Sequence, residues 1–221
     1  AEMEGMGATK NAAGKWEFDG KPVTLIFIIR TEDLRTPIGD YISNQLESIG
    51  FTVDRQYKSR SEASPIWAQS DPNEGQWNLY TGSWISTVIN RDAGWQFGFY
   101  YADMGGCCGP ASGVLTPEFV GTEFYDVTTK LWNNDFTTLA ERDELFKKAL
   151  ELSLQVSARN TLVDSLSFFP RKANISIASD LAGGISGSFL WPLTLRIGEE
   201  DGGSVKIAQQ DNLIEPWNPI G

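Results

Sequence analysis

The stretch from Lys21 to Tyr57, KPVTLIFIIRTEDLRTPIGDYISNQLESIGFTVDRQY, constrains the fold more than any other part of the chain, because it reads as a strand, helix and strand with each boundary signalled. Val23 to Ile29 is a nearly unbroken apolar, β-branched run, the composition of a strand covered on both faces. Thr36 and Pro37 predict a helix start: the threonine oxygen accepts an orphan backbone N–H, and a proline at the first helical position loses nothing by lacking its own. Ile38, Tyr41, Ile42, Leu46 and Ile49 recur at helical spacing and so line one face, with Asp40, Asn44, Gln45 and Glu47 toward water. Gly50 supplies a left-handed stop. Phe51, Val53 and Tyr57 then open a second strand, which a right-handed crossover places parallel to the first. The unit makes the class α/β.

At 221 residues the chain is long enough for one or two domains with a sizeable core, and 41% hydrophobic content suits a folded protein. A formal charge of −11 argues against nucleic acid, whose binding rests on lysine and arginine neutralising phosphates. The chain has no histidine, which removes the commonest general base and the commonest transition-metal ligand, so no Ser-His-Asp or Cys-His site can be built. Its two cysteines, Cys107 and Cys108, are adjacent in GGCCGP. A bond between them would close a strained small ring, which favours two thiols, and two ligands alone do not make a zinc site. No metal or cofactor is expected. Most of the eight tryptophans are expected in core packing, with some available to a ligand cleft. No run approaches the length of a membrane-spanning helix, and no secretory signal stands at the start. The first residues read as the middle of a helix and loop, and the chain stops abruptly after Asn218, Pro219, Ile220 and Gly221, so an excised fragment is expected.

Ala1 to Asp19 reads as a loosely ordered lead-in with a turn at Asp19 and Gly20. Ser59 to Trp67 is a candidate short helix, and Trp77 to Trp84 a third, buried strand. Residues 85 to 115 are irregular and rich in glycine and aromatics. Thr116, Pro117 and Glu118 start a helix with Phe119, Val120, Phe124, Val127 and Leu131 as its apolar face. Thr138 with Glu141 is a capping box, opening a second helix that turns Leu145, Phe146, Ala149, Leu150, Leu152 and Val156 inward. Thr161 to Phe169 and Ala173 to Ile177 are strand candidates, and from Gly202 onward the chain reads as an extended tail.

Four of these segments together resemble the extracellular solute-binding proteins of the peptide and nickel class (family 5), the receptors of ABC importers. They are FDGKPVTLIFII with its helix and QLESIGFTVD; QWNLYTGSW; TPEFVGTEFYDVTTKLW with AERDELFKKALELSLQ; and NTLVDSLSFFPRKANISI. The resemblance runs over roughly Trp16 to Leu181. It implies a periplasmic-binding-protein-like (type II) lobe, with a partly parallel sheet flanked by helices. Residues 1–201 would be the second lobe of a two-lobe receptor, and 202–221 a tail belonging to the other lobe. It further implies an extracytoplasmic, monomeric, non-enzymatic protein, periplasmic or anchored at the cell surface through a segment outside this chain. Such a protein captures a small solute, by default a peptide, and delivers it to ABC permease subunits. Peptide-binding members of the family commonly carry an aspartate shortly after a Gly-Trp pair; here a serine splits the pair, and hydroxyls stand where the acid is expected.

The ends of parallel strands are where α/β sheets place ligand crevices. On that ground Thr31, Ser83, Trp84, Ser86, Thr87, Arg91 and Asp92 are the candidate ligand-binding residues, with Arg30 and Glu32 assigned to the surface. Two alternatives stand beside a peptide receptor: a sugar or metal-chelate receptor, and a structural or protein-contact domain with an aromatic docking surface. Carboxylate pairs such as Asp40 with Glu47, or Glu199 with Glu200 and Asp201, could be invoked for acid–base catalysis, but they fall on a helix face and in a charged turn.

Overall fold

The computed structural model describes residues 2–83, 94–102, 104, 120–164, 168–179, 191–199 and 202–207, and the α/β unit read from the sequence forms within them. After a helical turn, Glu2–Gly5 (α1), three short strands pair antiparallel in the order β1 (Thr9–Lys10), β2 (Trp16–Phe18) and β3 (Lys21–Pro22). The loosely ordered lead-in of the sequence reading is therefore a small sheet. Its hairpin turns on Asp19 and Gly20 with φ of 49° and 71°, the two positive values that a tight two-residue hairpin requires. The sheet docks on the following helix end: the Trp16 N–H donates to Gly50 O at 2.8 Å and its indole Nε1 to Ile49 O at 3.0 Å.

Thr24–Arg30 (β4) is the central strand of a second sheet, with Thr52–Lys58 (β5) on one side and Leu79–Tyr80 (β6) on the other, both parallel to it. Thr24 pairs with Thr52 and Arg30 with Lys58, so the first two strands run in register along their whole length. β6 is shorter than the Trp77 to Trp84 strand expected, but side chains and flanking backbone lengthen its attachment. Asn78 Oδ1 accepts from Ile26 N at 2.8 Å, and Thr81 Oγ1 from Arg30 N at 2.9 Å. Flanked on both sides, β4 buries Phe27, Ile28, Ile29 and Arg30.

The crossover helix α2 (Arg35–Ser48) packs on β4 and β5, with a seam that differs from the one the periodicity predicts. Gly39 and Ser43 are its buried residues, whereas Tyr41 and Ile49 are exposed. The small residues let the helix lie close against the branched side chains of β4, which pushes the large ones to the flanks. Nor is Thr36 the cap. The Asp33 carboxylate accepts the Arg35 N–H at 3.0 Å, and the Thr36 hydroxyl instead donates to Arg30 O at 2.9 Å. Gly50 stops the helix at φ +108°, as expected. The polar face is not simply solvated. Arg55 on β5 donates to Glu47 Oε2 at 2.6 Å and to Asn44 Oδ1 at 2.7 Å, and the Tyr57 hydroxyl donates to Asp40. α3 (Arg60–Trp67) follows, opened by Ser59, whose N–H donates to the Glu62 carboxylate at 2.8 Å.

Three helices share a further core. α4 (Trp95–Tyr101), α5 (Glu123–Asn133) and α6 (Leu139–Val156) bury Phe97, Tyr101, Phe124, Val127, Leu131 and Ala149 together. Thr122 caps α5, its hydroxyl accepting from Tyr125 N at 3.3 Å; the helix start expected at Thr116 to Phe119 lies outside the described residues. Val120 is exposed, in the turn that precedes Thr122. Thr138 caps α6 through Glu141 N at 3.1 Å, but the Glu141 carboxylate reaches back one residue further, to Thr137 N at 2.9 Å. Leu150, read as inward, is exposed.

The described residues up to 162 form one compact unit and those from 163 onward another. In the second, Ile175–Ser176 (β7) pairs antiparallel with Arg196–Ile197 (β8), and Trp191–Thr194 (α7) precedes β8. The strand expected over Thr161 to Phe169 does not form among its described residues; Phe168 is exposed and pairs with no strand. Residues 202–207 carry no regular secondary structure.

Candidate functional site

β4 and β6 end side by side, with Ile28 level with Tyr80, and two of the candidate residues follow this carboxyl-terminal edge. Thr31 follows the last residue of β4, and Ser83 follows β6 by three residues; both are exposed. The structure therefore brings these two candidates to the same rim. Trp84, Ser86, Thr87, Arg91 and Asp92 lie outside the described residues, as do Cys107 and Cys108.

Beneath the rim is a network centred on Arg30, which the sequence reading assigned to the surface; Glu32, assigned there too, is exposed. Arg30 is 7% exposed. Its guanidinium makes a two-pronged contact with Glu32, Nε to Oε2 and Nη2 to Oε1 both at 2.8 Å, while Nη1 donates to the Tyr80 hydroxyl at 3.0 Å. The Tyr80 ring stacks on Trp67, centroids 4.7 Å apart and 12° from parallel. Glu32 also accepts the Arg60 N–H at the start of α3. Hydrogen bonds from Arg30, opposed by desolvation and aided by that N–H, hold the Glu32 carboxyl at about 2, from an ordinary 4.5. The next acid is closed in the same way. Arg35 donates Nε and Nη2 to the two Asp33 oxygens, each at 2.7 Å, and lowers the Asp33 pKa.

The loop between β4 and α2 is thus tied at both ends by forked arginine–carboxylate pairs, Arg30 with Glu32 and Arg35 with Asp33. Its acids already have partners, and Thr31 is left as an uncharged hydroxyl at the edge. One local signal for this arrangement existed: an arginine ending an apolar strand, with a glutamate two residues on, puts both side chains on one side of extended backbone. Tyr80 and Trp67 had no such signal, because their approach depends on the parallel register. Among the described residues no group of three or more Cys, Asp or Glu is placed to hold a metal. Among them, too, no helix is long and apolar enough to cross a membrane.

No family model matches the chain, and no curated protein matches it in sequence. Solved structures match it in fold. A nickel ABC transporter protein from Bacillus halodurans superposes with a TM-score of 0.50 at 20% identity, over 69% of this chain and 29% of its own. NikA from Brucella suis, in complex with Fe(III)-EDTA, does so with a TM-score of 0.50 at 15% identity, over 68% of this chain and 28% of its own. The chain spans under a third of the length of the structures it matches. The fold is periplasmic-binding-protein-like: a parallel sheet flanked by helices, as the sequence resemblance implied.

Proposed function

We propose that the chain is the second lobe of the solute-binding component of an ABC importer. Residues 1–201 form that lobe and 202–221 return toward the other one. The observation that carries the reading is the parallel β5-β4-β6 sheet with Thr31 and Ser83 at its carboxyl-terminal rim, in a fold shared with a nickel ABC transporter protein. A lobe of this kind works by differential contact: the ligand touches both lobes only in the closed form, so binding shifts the population toward closure. The protein performs no chemistry on its solute, acts outside the cytoplasm as a monomer, and passes the solute to membrane permease subunits.

A peptide is the default solute of the class, but a metal chelate is supported at least as well. One matching structure is a nickel ABC transporter protein, and another holds a metal chelate. A peptide's amino group would want a free carboxylate, and Glu32 and Asp33 are both held by arginines. An aromatic docking surface is less favoured, because Phe97 and Tyr101 on α4 are buried in the helical core. Thermal-shift measurements on the full-length protein with Ni(II)–histidine, Fe(III)-EDTA, dipeptides and disaccharides test the function. A saturable rise in melting temperature with one class and not the others is expected. No rise with any class overturns the receptor reading.

A further inference from the structure

We infer that Arg30 is a positioning residue: it holds the ends of β4 and β6 in one arrangement and so sets how Thr31 and Ser83 are presented to a ligand, without touching the ligand itself. The inference rests on the receptor reading above and adds the device that shapes its rim.

Four elements meet at this residue. Its backbone N–H donates to Thr81 Oγ1 at 2.9 Å, just past β6, and its carbonyl accepts the Thr36 hydroxyl of α2 at 2.9 Å. Its guanidinium is divided between Glu32 and the Tyr80 hydroxyl, and Glu32 passes the contact on to the Arg60 N–H at the start of α3. Thr31 sits between two residues fixed by the same fork, and Ser83 lies two residues beyond the threonine that Arg30 anchors. A guanidinium is required, since a lysine ammonium cannot supply two parallel donors to one carboxylate and a third, divergent donor to a phenol. The stacked Trp67 and Tyr80 rings hold that phenol in place.

The fork geometry, rather than the positive charge, is therefore what the rim needs. Arg30→Lys and Arg30→Met should behave alike, and both should differ from Arg55→Lys, which disturbs an equally polar network elsewhere on the sheet.

The test is hydrogen exchange of the Thr81, Gly82 and Ser83 amides, with calorimetric titration of Ni(II)–histidine, on the full-length protein well below its melting temperature. Loss of hydrogen bonds to a charged group predicts exchange faster by about tenfold and affinity weaker by about tenfold in Arg30→Lys, with neither change in Arg55→Lys. Unchanged exchange at 81–83 in Arg30→Lys overturns the inference. So does faster exchange with unaltered affinity, which would make the network structural only. If the wild-type protein binds no Ni(II)–histidine or any other probe class, the receptor reading fails, whereas the exchange result still decides the brace.

Discussion

Gly39 of α2 lies against Ile29 of β4 so closely that a Cβ on the glycine would stand 2.6 Å from Ile29 Cγ2 and 2.8 Å from Cγ1. Neither side can yield easily, since Ile29 is fully buried in the central strand and its neighbours Ile28 and Arg30 are buried too. Gly39→Ala should therefore destabilise the fold by about 1–3 kcal/mol through overpacking, despite alanine's better helix propensity. Gly5→Ala, where an added Cβ meets nothing within 4 Å, is the control and should be neutral or slightly stabilising. Urea denaturation midpoints at constant slope distinguish the two.

Glu32 gives a pH dependence of known sign. Its folded pKa, about 2, is below the ordinary 4.5, so its contribution is fully present above 4.5 and is lost as pH falls toward 2. Asp33, also lowered by an arginine fork, acts in the same direction. In Glu32→Gln the melting temperature should fall less steeply between pH 4.5 and 2 than in the wild type, and the two proteins should converge at the acid end. Parallel curves across that window would show that the carboxylate is not held as described.

Arg55 reaches both Glu47 at 2.6 Å and Asp40 at 3.5 Å, yet the group is partly exposed and screened by solvent. Its loss should matter little. Arg55→Met is expected to lower stability by no more than about 1 kcal/mol, and the effect should shrink in high salt. A double-mutant cycle with Glu47→Gln measures the pairwise part.

Thr122 and Thr138 accept the backbone N–H groups that open α5 and α6. Each Thr→Ala replacement should cost about 0.5–2 kcal/mol. Thr122→Gly should cost only a few tenths, since glycine leaves that turn accessible to water. Chemical denaturation of the single variants reads these differences directly.

The strand, helix and strand unit was legible in the sequence because its main signals are local: the apolar run from Val23 and the stop at Gly50 need no distant partner, although the helix begins at Arg35, two residues before the proline read as its first. The helix seam was not. Helical spacing assigns Tyr41 and Ile49 to the core, but close packing of α2 on β4 favours the absence of side chain at Gly39, which no hydrophobic periodicity registers. The rim was half legible. Strand ends pointed to Thr31 and Ser83, whereas the burial of Arg30 follows from β6 pairing alongside β4, a contact across 50 residues of sequence. The late strand expected over Thr161 to Phe169 shows the reverse failure: its described residues, 161–164 and 168–169, form no strand despite the β-branched Thr161 and Val163.

The most direct test of the account compares calorimetric titrations of the full-length protein and of residues 1–221 alone with the probe that gives the largest thermal shift. If the chain is one lobe of a two-lobe receptor, as proposed, the full-length protein binds saturably and the chain alone does not bind in the micromolar range, because one lobe offers only half of the ligand's contacts. Saturable micromolar binding by the isolated chain would contradict it.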